Sequence, residues 1–152
     1  MEYIESAKDA VPDGCVFCDL LEGEAGEQRV LRRGELAFVT LAKFPYNPGH
    51  LLVLPVRHTG ELEDLTTEEN AEIAVLLQRS VVALREEAEP HGFNVGLNLG
   101  RVAGAGIPGH LHWHVVPRWN GDTNFMPVVG QTRVLPELLE ETFRKLRPRF
   151  AE

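Results

Sequence analysis

Three histidines, His110, His112 and His114, alternate with apolar residues in the segment 110–117. Successive side chains of a β-strand point to opposite faces, so this spacing predicts three imidazoles on one face. Alternate strand residues lie about 7 Å apart, which predicts a row of rings about 14 Å long, comparable to an oligophosphate. A neutral imidazole is nucleophilic near pH 7, so the central ring could attack phosphorus while the flanking rings bind phosphoryl oxygens. Rings spaced along a straight strand cannot all reach one metal ion.

A glycine-rich segment, residues 104–109, leads into these histidines. Such a loop can direct several backbone N–H groups at one phosphate oxygen. Pro108 has no N–H, so Ala105, Gly106 and Ile107 are the candidate donors. Taken alone, the same segment is more typical of a tight turn between strands, and only the adjacent histidines favour phosphate binding.

Cys15 and Cys18 form a C-x-x-C motif, which supplies half of a tetrahedral zinc site. His50, His58 and His110 are candidates for the other half. A redox or disulfide role and two idle buried thiols are the alternatives.

The remaining segments predict the elements that position these residues. Strands are expected at residues 29–32, 36–41, 50–56, 92–100 and 110–117. A long helix is expected between the capping box Thr66/Glu69 and Pro90, and a second helix from Pro136 to Leu146. Connections of hairpin length favour a mostly antiparallel sheet, hence an α+β fold.

Composition limits the classes of function. The chain has 152 residues and a formal net charge of −8, which disfavours extended nucleic acid as a partner. The sequence predicts an N-terminal arm at residues 1–14 and one domain at residues 15–152. Neither a signal peptide nor a membrane-spanning apolar run is evident, so a cytoplasmic protein without membrane partners is expected.

The segment 110–116 resembles the signature of the histidine triad (HIT) family, and the resemblance extends over residues 15–147. The segment 48–55 resembles the family's Gly-His strand, Asn98 with the glycine loop resembles its phosphate-binding run, and the C-x-x-C motif resembles its zinc-bearing branch. The segments 94–104 and 117–119 are most similar to bacterial members that cleave diadenosine tetraphosphate. The resemblance implies a homodimer with one continuous sheet and a nucleotidyl-histidine intermediate resolved by water or inorganic phosphate.

The resemblance also implies roles for individual residues. His112 would be the nucleophile, His114 would contact phosphate and leaving-group oxygens, and His110 and His50 would orient the site. The implied substrate-binding residues are Asn98, Ala105, Gly106, Ile107, His114 and Trp119. The implied ligands of a structural zinc ion are Cys15, Cys18, His58 and His110, with His50 as the rival of His58.

Two positions depart from the family pattern. Ala42 stands where many relatives carry an Asp or Asn that holds the ribose hydroxyls, and Trp113 stands where bacterial relatives often have a polar residue. We expect Trp113 to pack in the core or against a dimer partner. Cleavage of dinucleoside polyphosphates is the expected function; a nucleoside phosphoramidase and a non-catalytic nucleotide- or zinc-binding protein are the alternatives.

Overall fold

An antiparallel five-stranded sheet forms the centre of the computed structural model, which describes residues 14–123 and 137–151. The strands are β1 (Val30–Arg33), β2 (Ala37–Leu41), β3 (Leu51–Pro55), β4 (Gly92–Leu97) and β5 (Trp113–Arg118). Their order is β1-β2-β3-β5-β4, and every neighbouring pair is antiparallel. The predicted α+β fold with a mostly antiparallel sheet is therefore confirmed. Of the predicted arm, only Gly14 lies within the described residues.

Among the described residues, three α-helices accompany the sheet: α1 (Val16–Glu22), α2 (Thr67–Ala88) and α3 (Leu139–Leu146). Helix α2 begins with the expected capping box, in which Glu69 N–H donates to Thr66 Oγ1 and Thr66 N–H donates to the Glu69 carboxylate. Its last residue is Ala88. The C-cap Glu89 has a left-handed φ of 45°, which stops the helix before Pro90. None of the helices in the described part of the chain is long and apolar enough to cross a membrane.

Several predicted element boundaries were wrong, among them the end of β4, which lies at Leu97 and not at residue 100. Helix α3 begins at Leu139, three residues after the predicted start at Pro136, which lies outside the described residues. Residues 19–22 belong to α1, a helix in which Phe17 and Leu20 lie three residues apart and are buried together against the sheet.

Both faces of the sheet are covered at β2 and β3. On one face, strand residues pack against α2, α3 and the C-terminal turn through Ile73, Leu84 and Phe150. On the other face, Phe17 and Leu20 of α1 pack with residues such as Phe38, Leu52 and Leu54. All five residues of β3 are buried, as the apolar run predicts for a strand covered on both sides.

The histidine segment forms only part of the predicted strand. His114 lies in β5 opposite Leu52, whereas His110 and His112 precede the first ladder residue, Trp113. The ladder with β3 ends here, and Pro55 has no N–H with which to extend it. The side chains still alternate between the two faces. Leu111, Trp113 and Val115 pack on the face covered by α2 and α3, while His110 and His112 face α1. A straight 14 Å row of rings is therefore not formed.

Candidate active site and metal cluster

The sheet brings His50, His112 and His114 into one cluster. His50 immediately precedes β3, and its ring centroid lies 5.1 Å from that of His114. The His112 and His114 centroids are also 5.1 Å apart. His50 and His112 are buried, at 3% and 2% exposed, whereas His114 is half-buried.

Hydrogen bonds assign the tautomers of His50 and His114. The Tyr46 N–H donates to His50 Nδ1 at 3.0 Å, so the proton of neutral His50 must be on Nε2. His50 Nε2 lies 2.9 Å from His114 Nδ1 and donates to it, which places the His114 proton on its own Nε2. That Nε2 is buried and has no hydrogen-bond partner within the described residues. His114 therefore presents an unused N–H donor at the site.

His112 has the opposite tautomer. Its Nδ1 lies 2.8 Å from the carbonyl oxygen of His110, and because a carbonyl can only accept, Nδ1 carries the proton. The Nε2 lone pair is then available for attack on an electrophile. Phe17 of α1 lies against the ring, with centroids 5.2 Å apart, and restricts it from the other side.

Burial favours the neutral forms of His112 and His114. Desolvation is the main cause that lowers the pKa of His112, although its hydrogen bond to the His110 carbonyl acts in the opposite direction. Burial, followed by the proximity of His112, lowers the pKa of His114 to about 4. A neutral His112 retains the lone pair that nucleophilic attack requires.

His110 turns away from this cluster towards the two cysteines. Its Nδ1 lies 3.4 Å from Cys15 Sγ and 3.7 Å from Cys18 Sγ, while His58 Nδ1 lies 3.6 Å from Cys18 Sγ. The potential ligand atoms of Cys15, Cys18, His58 and His110 all lie within 4.8 Å of one another. His110 Nε2 donates to the Pro55 carbonyl at 2.9 Å, which leaves the Nδ1 lone pair facing the thiols.

This donor set fits a tetrahedral zinc ion. Ligand bonds of 2.0–2.3 Å place neighbouring donors of a tetrahedron roughly 3.5 Å apart, which is close to the separations of sulfur and nitrogen here. Without a metal, burial and the neighbouring Cys15 raise the pKa of Cys18 to about 11. Zinc binding requires the thiolate, so the ion would have to lower that pKa.

His50 and His58, the two alternative zinc ligands considered from the sequence, lie at opposite ends of β3. His50 precedes Leu51 and contacts His114, whereas His58 follows the strand and packs edge-on against His110 with centroids 5.2 Å apart. The structure thus places His58 beside the thiols and His50 in the other cluster.

The glycine loop lies next to Asn98. A side chain on Gly104, whose φ is +95°, would meet Asn98 Nδ2 at 3.6 Å. The Ala105 N–H donates to the Gly100 carbonyl at 3.1 Å, so it already has a partner within the loop. Gly106 and Ile107 donate no backbone hydrogen bond to any residue in the ranges 14–123 and 137–151. Two of the three predicted N–H donors are therefore available to a ligand.

The sheet beside His114 is open on the histidine face. Gly96 of β4 pairs directly with His114, and no atom of the described residues lies within 4 Å of where a Gly96 side chain would begin. Residues 94 and 96 share this face, and Asn98 directly follows the end of β4. A ligand extending from the histidines towards Asn98 would therefore cross a bare strand.

Three further positions bear on the predicted binding site. Trp119 lies beyond the far end of β5, and its indole donates to the Ala88 carbonyl of α2, so it does not join the histidines of its own chain. Ala42 is 4% exposed among apolar residues and supplies no polar group for a ribose. Trp113 packs against the helical core, which is one of its two expected environments.

Sequence reasoning missed two aromatic residues of the site. Phe17 contacts both His110 and His112, and Tyr46 stacks on His50 with centroids 5.0 Å apart and an interplanar angle of 16°. Phe17 lies inside the C-x-x-C motif and Tyr46 four residues before His50, so an aromatic residue close to each ligand motif was the available signal.

Comparisons with known proteins find relatives of this chain. The sequence model of the HIT domain matches residues 23–121. The AP-4-A phosphorylase of Mycobacterium tuberculosis is 45% identical over 146 residues, which cover 96% of this chain and 73% of that protein.

Solved structures show the same fold. A Zn-bound histidine triad family protein from Mycobacterium smegmatis has a TM-score of 0.73 and 34% identity, covering 91% of this chain and 94% of that one. A hypothetical histidine triad nucleotide-binding protein from Sulfolobus tokodaii has a TM-score of 0.73 and 26% identity, covering 90% and 91% of the two chains. The sequence match, the sheet and the arrangement of the histidines together establish that this chain belongs to the HIT family.

Proposed function

We propose that this HIT-family enzyme cleaves dinucleoside polyphosphates such as diadenosine tetraphosphate at the α-phosphate. The observation that carries the proposal is the tautomer of His112, whose Nδ1–H is held by the His110 carbonyl while its Nε2 lone pair is available. The similarity to the mycobacterial AP-4-A phosphorylase supports the choice of substrate.

The reaction proceeds in two displacements. His112 Nε2 attacks the α-phosphorus of diadenosine tetraphosphate, the bond to the bridging oxygen breaks, and ATP leaves with that bond's electron pair. The intermediate is an AMP group attached to His112 through a P–N bond. An oxygen of inorganic phosphate then attacks the same phosphorus and releases ADP, or water attacks and releases AMP, in each case returning the electron pair to His112.

The other residues stabilise charge in these steps. The Nε2–H of His114 donates to an oxygen of the reacting or leaving phosphate, a use that matches its lack of a partner within the described residues. Gly106 and Ile107 supply backbone N–H donors, and Asn98 adds a side-chain amide. These neutral donors bind the anion locally in a protein with a net charge of −8.

We further propose that Cys15, Cys18, His58 and His110 hold a structural zinc ion. The donor set and its spacing support this assignment, as does the Zn-bound mycobacterial relative. Zinc would cross-link α1 to the segment that carries His110 and so hold Phe17 against the active-site ring.

A homodimer completes the proposal. Strand β4 is an edge of the sheet, and Val95 and Leu99 beside that edge are 48% and 46% exposed, which favours pairing with a second copy. Trp119 is held away from the histidines of its own chain, so any contact it makes with substrate would be at the site of a second copy.

Product analysis tests the proposal. The zinc-loaded protein is incubated with diadenosine tetraphosphate, with and without inorganic phosphate, and the nucleotides are separated. Formation of ADP and ATP only with phosphate establishes phosphorolysis, and AMP and ATP without phosphate establish hydrolysis. Turnover of adenosine monophosphoramidate alone would identify a phosphoramidase, and nucleotide binding without any turnover would contradict the proposed activity.

A further inference from the structure

The loop between β2 and β3 contains the residue that fixes the tautomer of His50. The backbone N–H of Tyr46 donates to His50 Nδ1. The carbonyl of the next residue, Asn47, accepts the backbone N–H of His50 at 3.1 Å. The loop turns back through Gly49, whose φ of +82° favours glycine. The position of this short segment therefore determines whether the Tyr46 N–H reaches the imidazole.

The Asn47 side chain fastens this loop to the end of β5. Its Nδ2 donates to the Pro117 carbonyl and to Asp122 Oδ2, both at 2.9 Å. A single amide thus joins the loop before β3 to two points of another segment that follows His114 in sequence.

Asp122 is itself firmly held. The guanidinium of Arg118 donates to both of its carboxylate oxygens, at 2.5 and 2.8 Å, and the Trp119 N–H donates to Oδ2 at 3.2 Å. These donors hold the pKa of Asp122 well below its usual range, and the Arg118 guanidinium has the largest effect. Asp122 is therefore an anionic acceptor. Asn47 is therefore attached to a fixed anchor.

We propose that Asn47 and Asp122 are positioning residues that select the tautomer of His114, a role that rests on the proposed catalytic use of His114. With the Tyr46 N–H in place, His50 donates through Nε2 and His114 must present Nε2–H to the substrate. Without it, neutral His50 can carry its proton on Nδ1 and accept through Nε2. His114 would then donate through Nδ1 and present a lone pair, which repels a phosphate oxygen.

The test reads the tautomers directly in the ligand-free protein. Long-range proton–nitrogen NMR correlation of protein with labelled histidine distinguishes protonated from bare ring nitrogens. We expect Nε2–H at both His50 and His114 in the wild type, and mixed tautomers at both in Asn47→Ala and Asp122→Ala. Asp122→Asn keeps an oxygen acceptor for Asn47 and is expected to restore the wild-type pattern.

Kinetics provide a second readout. For a substrate that the wild type cleaves, kcat should fall about tenfold or more in Asn47→Ala, as expected when a hydrogen bond to the reacting phosphate is lost, with a much smaller change in KM. Asn70→Ala is the matched control, because its amide also donates to a backbone carbonyl but at the start of α2. It should match the wild type in both measurements.

Retention of Nε2–H at both histidines in Asn47→Ala would overturn the proposal. If that variant does not fold, the comparison of Asp122→Ala with Asp122→Asn decides instead, and identical tautomers in the two would overturn it. A wild type that cleaves no nucleotide would contradict the proposed function, whereas the tautomer comparison would still test the positioning role.

Discussion

The carbonyl oxygen of His110 accepts a 2.8 Å hydrogen bond from Nδ1 of His112, while the ring of His110 itself faces Cys15 and Cys18. One residue thus connects two centres through different atoms: its backbone contacts the proposed nucleophile, and its side chain contacts the thiols. Displacing His110 is expected to affect both centres together.

Replacing the nucleophile should remove activity without unfolding the protein. His112→Asn retains a polar side chain but cannot attack phosphorus, so kcat/KM for diadenosine tetraphosphate should fall by about three orders of magnitude or more. His91→Asn, an exposed histidine outside the cluster, is the control and should retain activity. Wild-type turnover by His112→Asn would exclude the proposed intermediate.

The metal cluster predicts a stoichiometry. The purified wild type should contain one zinc ion per chain, and Cys15→Ser or Cys18→Ser should lose most of it, because each thiolate supplies one of four ligands. Elemental analysis and native mass spectrometry measure the content, and thermal unfolding should show a lower Tm for both variants. His50→Asn is the control expected to retain zinc, and loss of the metal there with retention in His58→Asn would reverse the assignment.

Stability should depend on pH through His114. The unfolded chain takes up a proton near the ordinary pKa of 6.5, whereas burial delays protonation of the folded chain to about 4. Between these values the unfolded state binds more protons, so the free energy of unfolding decreases as the pH falls. His114→Asn should reduce this slope by up to about 1.4 kcal/mol per pH unit, measured by urea unfolding across the window. An unchanged slope in the variant would contradict the prediction.

The capping box of α2 also supports the region beyond β3. Glu69 is 4% exposed, accepts the Thr66 N–H and receives two hydrogen bonds from Arg57, the residue before His58. Glu69→Ala removes these bonds and should lower the free energy of unfolding by about 1–2 kcal/mol, measured by chemical denaturation. Glu68→Ala changes an exposed residue of the same turn and should have a much smaller effect; equal losses would argue against the cap.

The sequence predicted which side of the sheet carries the chemistry but not the course of the backbone there. Alternation correctly assigned the histidines to one face and Leu111, Trp113 and Val115 to the other, because side-chain direction follows local geometry. It could not predict that the ladder ends before His112, since this depends on the partner strand, in which Pro55 comes opposite Leu111 and has no N–H to donate.

The metal partners show a second limit of sequence reasoning. The C-x-x-C motif identifies two ligands by local spacing, but the choice between His50 and His58 depends on which end of β3 lies beneath α1. The sequence also could not predict the hydrogen bond from Tyr46 to His50. The donor is the backbone N–H, which every residue type except proline has, so the tyrosine side chain gives no indication of it.

Strand β3 has a consequence for the dynamics of both centres. It is buried along its whole length and paired on both sides, with His50 before it and His58 after it. Amide protons in such a strand exchange with solvent only when the whole domain opens. The thiol cluster and the cluster of His50, His112 and His114 are therefore expected to belong to one cooperative unit, and to lose their structure in a single event when the sheet opens.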